Sequence, residues 1–128
     1  MDIVVDVDGS EELLLTVYID LASGEALELL VRDEAPFTLP EGLADTYLGT
    51  GLSGDIHGWV GHSTRLGIGS FQLRGVPTAF APAAVRSKQE GADGVLGNDA
   101  LRRFNAVFDY SQGLLLLKPN KHYAVPFE

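Results

Sequence analysis

Apolar and polar positions along this chain alternate over short stretches and then break at glycine, proline or an Asp-Gly pair. That period-two pattern predicts strands joined by turns. Ile3 to Val7 alternates in part and runs into Asp8-Gly9, a tight-turn pair, and Leu13 to Ile19 is apolar and strand-like. The first 20 residues therefore read as a β-hairpin. Ala26 to Val31 predicts another strand. Pro36 to Gly54 is rich in Gly, Pro and Thr and reads as loops with short extended pieces. Gly51 to Gly61 carries glycines at 51, 54, 58 and 61 around Ile56, Trp59 and Val60. Gly67 to Ser70 predicts a turn ahead of Phe71-Gln72-Leu73, and Val76 to Phe80 a strand interrupted by Pro77.

Pro82 to Gly94 is polar and reads as an exposed connection, whereas Val95-Leu96 reads as a short buried strand. The period then changes. Asn98 is placed to cap a helix from about Asp99 to Phe104, with Ala100, Leu101 and Phe104 on one face. Ala106 to Tyr110 and Leu114 to Leu117 predict a hairpin around Ser111-Gln112-Gly113. Many short strands with one short helix predict an all-β, barrel-like domain. There is no internal repeat and no low-complexity segment.

Composition narrows the function classes. A chain of 128 residues suggests one domain large enough for a core without staples, and with no cysteine it has neither disulfides nor thiolate metal sites. Nine Lys and Arg against 18 Asp and Glu give a net charge of −9. Nucleic-acid phosphates and anionic membrane surfaces both need basic patches, so neither is an expected partner. No apolar run approaches the ~18 residues of a membrane span. Met1 to Asp6 lacks the basic region and apolar core of a signal peptide.

Several residues invite chemistry. Asp20 ends an apolar strand and is followed by Leu21, Ala22 and Ser23. It reads either as a catalytic carboxylate on a strained turn or as an Asp that closes the turn itself. Trp59 reads as core or as substrate contact. His57 and His62 lack a third ligand nearby in sequence, so no metal is expected. Asp6, Asp8 and Glu11 around Gly9 lack the spacing of an EF-hand and read as a solvated turn. There is no phosphate-binding loop and no Gly-x-Ser-x-Gly elbow, and Ser53 and Ser63 have no evident base.

The run Gly94-Val95-Leu96-Gly97-Asn98-Asp99-Ala100-Leu101-Arg102-Arg103-Phe104, leading into Phe108-Asp109-Tyr110, resembles the closing segment of the retropepsin-type aspartic proteases, the single-lobe relatives of pepsin. The resemblance extends over most of the chain. Leu13 to Ser23 looks like the strand and active-site turn, and Gly51 to Val60, with Gly-Leu-Ser-Gly-Asp-Ile at 51–56, like the glycine-rich flap. Leu66 to Phe80 looks like the two strands after the flap. The detailed flow is closer to bacterial members than to viral ones. Against the family's Asp-Thr-Gly-Ala/Ser pattern, Leu21 stands in place of the hydroxyl residue and Ala22 in place of glycine, while Ser23 fits. Asp45-Thr46-Tyr47 lacks the glycine and the preceding apolar strand, and reads as a loop.

The resemblance implies a single-lobe retropepsin-like barrel whose Asp20 is catalytic, paired with Asp20 of a second copy in a homodimer. It implies a peptide or protein substrate bound by Leu21, Ala22, Ser23, Ile56, His57, Gly58 and Trp59. It implies no cofactor and no metal. In bacterial relatives such a domain often belongs to a longer envelope or secreted chain. It also sets a topological expectation, that Val95-Leu96-Gly97 lies beside the strand ending at Asp20. The alternative reading is a catalytically degenerate lobe that binds peptides or partner proteins.

Overall fold

The computed structural model describes residues 1–32, 37, 39–51, 54–82, 92–109 and 111–127. The elements in chain order are β1 (Asp2–Asp6), β2 (Leu13–Asp20), β3 (Leu27–Val31), β4 (Ala44–Gly51), β5 (Gly54–Ile68), β6 (Phe71–Pro82), β7 (Gly94–Gly97), α1 (Asn98–Leu101), β8 (Phe104–Asp109) and β9 (Leu114–Pro119). Strands β1, β2, β7, β3, β6 and β5 are hydrogen-bonded in that order, and β5 pairs back onto β1, so they close a barrel. Closure gives every strand in the ring a partner on both sides.

Alternation decides which side chains fill it. On β1, Ile3 and Val5 point in and are buried; on β2, Leu15 and Val17 do the same while Leu14, Thr16, Tyr18 and Asp20 face outward. Leu27, Leu29, Leu66, Ile68, Val76, Phe80 and Leu96 belong to the same core, which Leu73, Ala100, Leu101 and Phe104 extend. The chain turns from β2 into β3, yet these two strands are not neighbours. Strand β7 lies between them, parallel to β2 and antiparallel to β3. The expected position of Val95-Leu96-Gly97 beside the Asp20 strand is met, with Ile19 opposite Leu96 and Asp20 opposite Gly97.

Three expectations need correction. Residues 44–51, read as loop, form strand β4. Thr46, Tyr47 and Thr50 are good strand formers, and pairing with β5 overrides the flanking glycines and prolines. Pro77 does not interrupt its strand, because β6 runs unbroken from Phe71 to Pro82 with Pro77 opposite His62. The helix covers Asn98–Leu101 alone, and Asn98 is its first residue rather than its cap. Its first N–H groups are already satisfied, since Asn98 N donates to Ser23 O (2.9 Å) and Asp99 N to Glu25 O (3.2 Å). The polar connection read over 82–94 falls largely at 83–91, outside the described residues.

Strands β8 and β9 form a separate two-stranded sheet. After it the chain passes back over Arg103, whose side chain is buried. Arg103 Nη1 donates to His122 O (3.0 Å) and to Val125 O, and its guanidinium lies 3.7 Å from the centre of the Phe127 ring. Burial holds this guanidinium below its usual pKa.

Candidate active site around Asp20

Asp20 is the last residue of β2 and is exposed. Its Oδ1 accepts the Ala22 N–H at 3.0 Å, and its carbonyl accepts the Ser23 N–H at 3.2 Å. Its Oδ2 accepts no hydrogen bond among the described residues. The turn is anchored on the opposite side. Ser23 Oγ accepts the Glu25 N–H (3.3 Å), Ser23 O accepts Asn98 N–H, and Gly97 N donates to Ala26 O (3.0 Å). The carboxylate thus stands on a loop pinned to the junction of β7 and α1.

The pinning is close enough to demand glycine. A Cβ on Gly97 would stand 2.1 Å from Glu25 O, and one on Gly94 would stand 2.1 Å from Glu28 O. Neither obstacle is a flexible side chain. Gly97→Ala should therefore cost roughly 1–3 kcal/mol as β7 and the 21–26 loop are forced apart. Urea unfolding measures this loss, with Gly24→Ala as the control, since a Cβ there meets nothing within 4 Å.

A polar clamp that the sequence did not reveal holds the other end of β7. Arg32 donates to Ala92 O (2.8 Å) and to Asp93 Oδ1 (2.7 Å), while Asp93 Oδ2 accepts the Thr16 N–H (2.9 Å). Arg32 and Asp93 are 61 positions apart, and no local pattern links them.

Register shows which residues share Asp20's level in the barrel. Asp20 aligns with Gly97, Gly97 bonds Ala26, Ala26 precedes the Leu27–Thr78 pair, and Pro77 faces His62. His62 is therefore the exposed histidine on the Asp20 row. Residues 56–59 lie on the other side of the Leu27–Thr78–Gly61 row, on the hairpin made by β4 and β5. Of the four, Ile56 and Gly58 are buried and Trp59 is half-buried against the core. His57 is exposed, with the Tyr47 ring edge-on at 5.9 Å.

The site residues read from the sequence thus fall into two groups. Asp20, Leu21, Ala22 and Ser23 form one turn, with Leu21 and Ala22 exposed and Ser23 half-buried. Ile56, His57, Gly58 and Trp59 form one stretch of β5.

The remaining candidates have local partners. Asp6 Oδ1 accepts the Gly9 N–H (2.7 Å), and Asp8 accepts Ser10 N–H (3.0 Å) and its hydroxyl (2.5 Å). Those Ser10 bonds hold the Asp8 carboxyl below its usual pKa. Ser63 is buried and shares a 2.7 Å hydrogen bond with Thr78. Ser53 lies outside the described residues. Among the described residues no three His, Asp or Glu side chains converge as a metal site. Nor is any helix there long and apolar enough to cross a membrane. A scan of protein-family models and a search of curated proteins find no match to this chain.

Proposed function

We propose that this domain is a retropepsin-like aspartic endopeptidase that completes its active site by pairing Asp20 of two copies. The observation that carries the reading is the insertion of β7 between β2 and β3, which sets the exposed Asp20 carboxylate beside Gly97 on a pinned turn. That is where the resemblance requires the closing segment to run. One chain supplies one such carboxylate, so twofold symmetry must bring the other. The exposed apolar face of the β8–β9 sheet supports such a pairing, with cross-strand partners Val107 and Leu116 59% and 54% exposed.

Two carboxylates about 3 Å apart share one proton and titrate as a unit. The ionised member takes a proton from a water, which attacks the scissile carbonyl. The protonated member gives its proton to the developing oxyanion. No metal or organic cofactor enters this chemistry.

A second reading, a binding lobe without turnover, is favoured by one specific feature. Leu21 is 53% exposed and apolar where the resemblance calls for a hydroxyl, and Ala22 replaces glycine. The test is a peptide-library digest, across roughly pH 3 to 7, by the wild type and by a Leu21→Thr, Ala22→Gly double variant. The peptidase reading expects cleavage by both and faster cleavage by the double variant. Folded dimers that leave the library intact in both cases would overturn the peptidase reading and leave the binding lobe as the better account.

A further inference from the structure

We infer that the outer edge of β4 is a docking strand for an extended segment of another protein that carries lysine or arginine at alternate positions. Strand β4 ends the seven-stranded sheet: one edge pairs with β5, and no strand among the described residues pairs with the other. Alternate residues of this eight-residue strand present backbone donors and acceptors at the free edge, on either side of a register shift between Tyr47 and Gly49, and such a row is the template that strand addition uses. Each barrel strand, by contrast, has a partner strand on both sides.

Charge decides which segment fits. Positions 33–64 contain Asp33, Glu34, Glu41, Asp45 and Asp55 and no lysine or arginine, so more than half of the net −9 sits there. Register puts two of those carboxylates, Asp45 and Asp55, on one face of the ribbon. Asp45 is opposite Trp59, Tyr47 opposite His57 and Thr50 opposite Asp55, and directly opposed residues share a face. Asp45, Tyr47, His57 and Asp55 are all exposed. The Tyr47 hydroxyl bonds Thr50 Oγ1, which bonds Asp55 Oδ1 at 3.1 Å, fixing the ring between the two carboxylates. Neither Asp45 nor Asp55 is in an ion pair among the described residues.

A strand laid along β4 brings every second side chain to about 5 Å from Asp45 and Tyr47. A cationic side chain there meets a carboxylate and the face of a tyrosine ring. An acidic segment meets repulsion instead. Affinity would come from the main chain and selectivity from the alternate cations. None of this uses Asp20.

The probes are a decapeptide of alternating lysine and threonine, its glutamate–threonine counterpart, and the lysine peptide N-methylated at alternate residues. They are titrated into the full chain carrying Asp20→Asn, so that turnover cannot mimic binding. Anisotropy reads affinity and amide NMR shifts read location. The lysine peptide should bind, with shifts centred on residues 44–50. N-methylation should weaken it on the order of tenfold, because it removes strand donors without touching charge. Asp45→Asn should weaken it about threefold and reduce its salt dependence. Equal binding of the N-methylated or the glutamate peptide would overturn the inference. So would shifts confined to β8 and β9, absence of binding, or self-association of the protein through residues 44–50, which would make a second copy the occupant.

Discussion

Leu96→Ala should destabilise the domain by about 2–5 kcal/mol, a large part of the roughly 5–15 kcal/mol that holds such a domain together. Leu96 is fully buried at the point where three strands meet, opposite Ile19 on β2 and Leu27 on β3. The cost depends on whether the surroundings can collapse into the space left behind. Here they cannot move far, because Gly94 and Gly97 on either side already bring β7 as near to the Glu25 and Glu28 carbonyls as backbone allows. The cavity term should therefore be retained nearly in full. Urea titration measures it. Leu14→Ala, on the exposed face of β2 at 71% exposure, should change stability by no more than about 0.5 kcal/mol. Equal effects of the two changes would mean that β7 is not central to the barrel.

Asp20→Asn should lower cleavage on the order of 10²–10⁴-fold or more, the scale of a lost general base. An amide does not take the water's proton, and it does not share a proton with the second carboxyl. The variant should still fold, because the Ala22 N–H is held by Oδ1 of Asp20 and an asparagine carbonyl oxygen accepts the same bond. The proposed dimer should persist as well, since replacing the carboxylates removes any like-charge repulsion between copies. Wild-type cleavage should peak in mildly acid solution, where one carboxyl of the pair is protonated and the other ionised, and fall on both sides. The measurement is the rate of peptide hydrolysis against pH for both proteins, alongside sedimentation and urea unfolding of each. An Asp20→Asn protein that cuts at the wild-type rate would remove Asp20 from the chemistry.

The barrel was legible where period and turn chemistry agreed. Leu13 to Ile19, Ala26 to Val31 and the Ser111-Gln112-Gly113 hairpin each carried both signals, and the structure places strands there. Strand β4 was hidden because Gly42, Gly49, Gly51 and Pro40 read as loop, while its reason for being a strand is the register of Tyr47 on His57 and Asp45 on Trp59. Pro77 misled in the same way. Asn98 looked like a helix cap because the sequence does not display the carbonyls of Ser23 and Glu25 that do the capping. At the site, the turn from Asp20 to Ser23 could be read from the order of residues, and its neighbour Gly97 from the resemblance alone. The Arg32–Asp93 clamp could not, since it depends on contacts across 61 positions.

In the proposed peptidase two copies of Asp20 make one site. The most direct measurement of that pairing is the initial rate of hydrolysis in mixtures of wild type and Asp20→Asn, refolded together at constant total protein. If each site needs an intact Asp20 from both chains, mixed dimers are inactive. The rate then falls as the square of the wild-type fraction, so an equal mixture keeps about a quarter of full activity. A rate that falls in simple proportion, with half the activity left in an equal mixture, would contradict a shared site and place the whole chemistry in one chain.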